Sequence, residues 1–161
     1  MKGLAHPAWQ LEELTPENAV RVLPELAESY FKRGDKAAGE GTSEEKLHGF
    51  RLNTKEFRYT LEAFRPLYGP AMDRHIAHVR RVQTVLGDLN DCRATAALLE
   101  PYEAVAVAEL GLMRRFLDAE RERLRARFAG VWAELYGEER KRRTLRQYLR
   151  TRVAAGASAE L

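Results

Sequence analysis

Seam positions recur along this chain at the three- and four-residue steps of a helix, most clearly at Leu47, Phe50, Thr54, Phe57, Leu61, Phe64 and Tyr68. That spacing returns to one side of a helix and predicts a buried face. Ser43 is placed to cap the free amides ahead of it, and Gly69-Pro70 stops it at about Tyr68. Upstream, Thr15-Pro16-Glu17 reads as a helix start, and Val20, Leu23, Ala27, Tyr30 and Phe31 give the apolar side of a helix to about Arg33. Pro24 falls inside it and predicts a kink or a split. Gly34 to Gly41 reads as a polar, glycine-rich connection, and residues 1–14 as an extended lead-in with Trp9 and Leu11 against the bundle.

Downstream, Met72, Ile76, Val79, Gln83 and Leu86 predict a third helix from about Ala71, ended by Gly87 as its C-cap. Asp88 or Asn90 then caps a short fourth helix to about Leu99, with Leu89 plugging the corner. A long helix from about Glu103 to Tyr136 carries Leu110, Met113, Leu117, Leu124, Phe128, Val131 and Leu135 near a seven-residue rhythm. A basic C-terminal helix over about 138–153 follows, and Ala154 to Leu161 should fray. The sum is an all-α, antiparallel helical bundle: a four-helix unit with flanking helices, in one domain over 1–161 with its core at about 15–137.

The polar positions of the second helix change the picture. His48, Arg51, Lys55 and Arg58 are separated by three, four and three residues, which keeps them within an arc of roughly 80° beside the apolar seam. The structural reading is a solvated face. Such a face normally mixes signs, however, and only Glu62 continues this row with a negative charge. A line of unneutralised cations on rigid backbone suits an anion. Arg74, His78 and Arg81 repeat the pattern on the third helix, and a helical hairpin through Gly69-Pro70 is expected to set this second row across a groove from the first.

Composition narrows the class. The chain has 161 residues, enough for one domain with a full core, and its formal charge of +3 is modest, so distribution must decide. Apolar runs fall short of the ~20 residues of a membrane span and the N-terminus lacks a signal-peptide core, so a cytoplasmic protein is expected. Cys92 is the only cysteine, which excludes an internal disulfide and a cysteine-based metal cluster within one chain. Asp88 and Asp91 have no histidine or further carboxylate nearby in sequence, and no metal or other cofactor is expected.

His48-x-x-Arg51-x-x-x-Lys55-x-x-Arg58-Tyr59, followed by Leu61-Glu62-Ala63-Phe64 and later by Gln83-x-x-Leu86-Gly87-Asp88-Leu89-Asn90-Asp91, resembles the CHAD family, the conserved histidine α-helical domain. The resemblance is strong over about residues 43 to 100. It implies an all-helical, non-catalytic module that binds inorganic polyphosphate through a basic cavity, with His48, Arg51, Lys55, Arg58 and Tyr59 as matching positions. Arg74, His78 and Arg81 extend that set by helical geometry alone. The family's usual form has two such helical units around the cavity; only one signature occurs here, and it looks more like the second. Two chains are therefore expected to associate as a homodimer, restoring the missing half. Association with polyphosphate granules is a further expectation.

Three other readings compete. A nucleic-acid-binding helical protein would also use basic rows, but the interleaved aromatics occupy seam positions and leave no obvious stacking platform. A phosphohydrolase of the kind fused to some CHAD domains needs a carboxylate-lined metal tunnel, and no Glu-x-Glu-x-Lys strand motif occurs. Metal binding by His48, His75 and His78 is disfavoured by the surrounding arginines.

Overall fold

In a computed structural model, which describes residues 3, 4, 10, 12, 15–102 and 107–151, the described residues form five α-helices. They are α1 (Thr15–Ala38), α2 (Glu44–Tyr68), α3 (Met72–Leu99), α4 (Val107–Tyr136) and α5 (Glu139–Thr151), with a 3₁₀ turn at Glu100–Tyr102 before α4. No strand occurs among the described residues. Trp9, Leu11 and the segment 152–161 lie outside them.

The α2 seam is the part of the pattern that packs as its spacing requires. Leu47, Phe50, Thr54, Phe57, Leu61 and Tyr68 are all buried, and Phe64 packs at the edge. Ser43 caps α2, its Oγ accepting from the Lys46 amide at 3.4 Å. Gly69 ends it with φ +73°, a left-handed conformation that disfavours any residue with a Cβ. Tyr30 of α1 lies at the centre of the core, with ring centroids 4.4 Å from Phe57, 5.2 Å from Phe50 and 5.4 Å from Trp132. Aromatic pairs at such distances add about 0.5–1.5 kcal/mol each beyond area burial.

Three expected boundaries move. First, α1 is not split at Pro24, which is buried within the continuous helix. Second, α1 continues to Ala38, so Gly34 is helical rather than the start of a connection. Its reason is tertiary: a Cβ at Gly34 would come within 2.0 Å of the Trp132 indole, and the missing side chain lets α4 approach. Third, α3 runs unbroken through Gly87 to Leu99, so Gly87 is no C-cap, and neither Asp88 nor Asn90 starts a helix. Leu89 is buried, as a helical core residue rather than a corner plug.

α5 docks on α1 by burying Leu145 and Leu149. Arg142 of α5 grips Asp35 of α1 with two parallel bonds of 2.7 and 2.6 Å, and Trp132 Nε1 donates to the same carboxylate at 3.0 Å. Partial burial pushes the Asp35 carboxyl up, but the Arg142 and Trp132 bonds outweigh it and hold it below the usual value. Arg146 pairs with Glu28 and Glu139. Tyr68 Oη donates to the Leu149 carbonyl at 2.6 Å, which ties α5 to the end of α2 as well. Much of the basic character of α5 is therefore consumed within the fold.

Candidate anion-binding face

α2 and α3 form the antiparallel hairpin expected from the Gly69-Pro70 turn, and bonds between them fix its register. From the turn outward these are Arg65 to Asp73 (2.5 and 2.7 Å), Arg80 to Glu62 (2.8 Å), Arg58 Nε to Gln83 Oε1 (2.7 Å) and His48 Nδ1 with Asn90 Oδ1 (3.0 Å). The two outermost pairs anchor the first and last members of the His48-to-Arg58 row. Amide partners leave the cationic charge of that row in place where a carboxylate would cancel it. Arg58 also has an acid beside it, Glu62 at 2.8 Å, whose Oε1 accepts from Arg80 too.

Arg51 and Lys55 lie between the anchors. Both are half-buried, and neither has a carboxylate partner among the described residues. At their level α3 presents Gly87 on the same flank, and a Cβ built there would meet nothing within 4 Å. Tyr59 is about half exposed (51%), and the Arg58 guanidinium stacks 4.3 Å over its ring, so its side chain lies on the surface and does not brace the bundle.

At the His48 end the face turns into a pocket lined by Glu44, Leu47, His48, Leu86, Leu89, Asn90, Arg93, Arg121 and Arg125. Arg121 is shared between Glu44 (3.1 Å) and Asp118 (2.9 Å), and Arg125 donates to the Thr42 carbonyl at 2.7 Å. Arg93 has no carboxylate partner among the described residues. Sequence reasoning missed Arg121 and Arg125, because nothing in the local pattern shows that α4 comes to this end of α2, and it missed Arg93 because α3 was expected to stop at Gly87. It also misassigned Gln83 to the seam and Asn90 to a cap; both are the amides that orient the row.

Arg74, His78 and Arg81 do not share this groove. On α3 they lie roughly 150° around the helix from Arg80, Gln83 and Asn90, because α3 is sandwiched between α2 and α4. They face a separate recess with Glu134, Arg140 and Lys141. Arg81 is bound there by Glu134 in a two-pronged pair of 2.8 and 2.7 Å. The expectation of two rows facing one another across a hairpin groove is corrected: a helix between two neighbours has two flanks, and the rows take one each. His48 is likewise separated from His75 and His78, and among the described residues no three His, Cys, Asp or Glu side chains converge as a metal site.

The geometry defines a helical module in which a row of basic side chains runs along one flank of α2, with His48 and Arg58 held by amides of α3. Residues 2–100 match the family model described as the CHAD domain, which covers more than half of the 161 residues. The chain belongs to the CHAD domain family. No curated protein matches it, and no solved structure does. The family match ends where α3 ends, so α4 and α5, with Arg121, Arg125, Arg140 and Lys141, lie beyond it. No helix among the described residues is long and apolar enough to cross a membrane.

Proposed function

We propose that the α2 flank binds inorganic polyphosphate without turning it over, through His48, Arg51, Lys55 and Arg58 with Tyr59 at the edge. The observation that carries this reading is the pair Arg51 and Lys55, which lie between two anchored neighbours, are partly exposed, and have no carboxylate partner among the described residues. Polyphosphate offers a line of oxygens with roughly one charge per phosphate and no bases to read. Arg supplies planar forks for such oxygens and Lys a compact charge. The family's association with polyphosphate points the same way. Glu62, the carboxylate that continues the row, serves Arg58 and Arg80.

The test is a polyphosphate titration of the Arg51→Ala, Lys55→Ala double variant. Removing two charge-assisted hydrogen bonds to phosphate, at about 1.5 kcal/mol each, should weaken binding about a hundredfold, with helicity unchanged. Unchanged affinity places the ligand elsewhere. Incubation with Mg²⁺ or Mn²⁺ should release no orthophosphate from the polymer; sustained release would make the protein an enzyme.

Nucleic acid is the second reading, and Tyr59 favours it, because an exposed ring beside cations is a surface on which a base can stack. Competition among polyphosphate, single-stranded RNA and DNA at matched salt separates the two. Tyr59→Ala should weaken RNA binding and leave polyphosphate affinity nearly unchanged. We also propose that two chains pair to complete a two-unit arrangement and that the protein gathers at polyphosphate granules. Light scattering and imaging of a tagged chain in granule-forming cells test these.

A further inference from the structure

The recess on the other flank of α3 is built from three helices. α3 contributes Arg74, His75, His78 and Arg81; the end of α4 contributes Glu134, Leu135 and Tyr136; and α5 contributes Arg140, Lys141, Thr144 and Leu145. Leu135, Tyr136 and Leu145 are buried and form its floor. Four cations, Arg74, Arg81, Arg140 and Lys141, stand against Glu134 in the recess and Glu138 at its edge. The Glu134 carboxylate is occupied by Arg81, while Lys141 is held by the Glu134 carbonyl at 2.7 Å and by Glu138 at 2.8 Å. Arg74 and Arg140 make no ion pair within 4 Å of a carboxylate among the described residues, and Glu138 interacts with Arg140 through its charge alone. The charge left over is positive, and it is contributed by separate helices converging on one concavity.

We propose that this recess is a second, independent binding site for a phosphate-sized oxyanion, with Arg74 and Arg140 as its principal ligands and His78 as a proton-coupled one. The α2 flank takes no part in it, so the site does not depend on the polyphosphate reading. His78 is half-buried at the mouth. It is faced by Arg74, Arg81 and His75 from its own helix, by Glu134 from α4 and by Arg140 and Lys141 from α5. Burial, then Arg74 and Arg81, lower its proton affinity, and Glu134 opposes them only in part. An oxyanion seated among these cations screens them, so the ring takes up a proton on binding, and by linkage binding tightens as pH falls.

Sulfate is the probe for the proton coupling, because it does not titrate near neutral pH; pyrophosphate is the probe for phosphoryl groups. Both are added to the full chain while the imidazole C–H resonances are followed by NMR, with His78→Gln to assign the signal. The expected result is a saturable shift of the His78 resonance and a raised titration midpoint. Sulfate affinity should rise on acidification by at most about tenfold per pH unit, the limit for one coupled proton. Arg74→Ala with Arg140→Ala should abolish the shift, and Arg51→Ala with Lys55→Ala should leave it intact. His78→Gln should keep binding and flatten its pH dependence. A His78 resonance unmoved by either probe overturns the site, as does a shift that disappears only in the α2 variant. A pH slope that survives in His78→Gln overturns the coupling.

Discussion

Individual side chains of the signature divide into those that hold the fold and those left over for a ligand. Arg58 is only 16% exposed and bonded to both Gln83 and Glu62, so Arg58→Ala should cost about 1–2 kcal/mol in urea denaturation. Arg51→Ala and Lys55→Ala should each stay within about 0.5 kcal/mol of the parent. A polyphosphate defect in Arg58→Ala is thus ambiguous, and one in the other two is not. His75 carries a different consequence. Burial, then Arg74 and His78, lower its pKa to about 4, and its ring packs 4.9 Å from Tyr148. Between the ordinary imidazole value and about 4 the unfolded chain binds the proton that the folded chain refuses. Stability should therefore fall as pH drops through that window, by up to about 3 kcal/mol. His75→Phe should flatten this dependence in denaturation curves taken at both ends of the window.

Among the helices, what was legible in the sequence was whatever local periodicity encodes. The α2 seam, the Ser43 cap and the Gly69 stop all arise from contacts within a few residues, and all appear as expected. The errors cluster where a residue's partner lies far along the chain. Gly34 reads as a loop residue, yet Trp132 explains it; Asn90 reads as a cap, yet its partner is His48, 42 positions away. The candidate site was half legible for the same reason: helical spacing gave the cationic row, but not the amides that orient it or the arginines that α4 brings. Gly87 offers a direct check on the continuous α3. Within a helix, and with nothing near its Cβ position, Gly87→Ala should stabilise the protein by about 0.5–1 kcal/mol in thermal or urea unfolding. A C-cap glycine would give the opposite sign.

At the scale of the molecule, the far end of the α3–α4 hairpin stands apart. The Cys92 thiol donates to the Leu117 carbonyl at 3.3 Å, which fixes the register, and beyond it Leu98, Tyr102, Leu112, Met113 and Phe116 are half or more exposed. Exposed apolar side chains on the last turns of α3 and the first turns of α4 are where the pairing proposed above is tested. Phe116→Glu should then lower the mass seen by light scattering from two chains to one. If the parent already scatters as one chain at high concentration, the pairing is wrong. Polyphosphate affinity should also fall steeply with salt, as neutralising adjacent charges releases condensed counterions.

The contact between Gly34 and the Trp132 indole reaches beyond packing. An added methyl has 2.0 Å where a real contact needs more than 3, so Gly34→Ala should lose about 2–3 kcal/mol, and a smaller ring at 132 should restore part of it. Two sites almost a hundred positions apart are thereby energetically coupled, so the cost of changing both should differ from the sum of the separate costs.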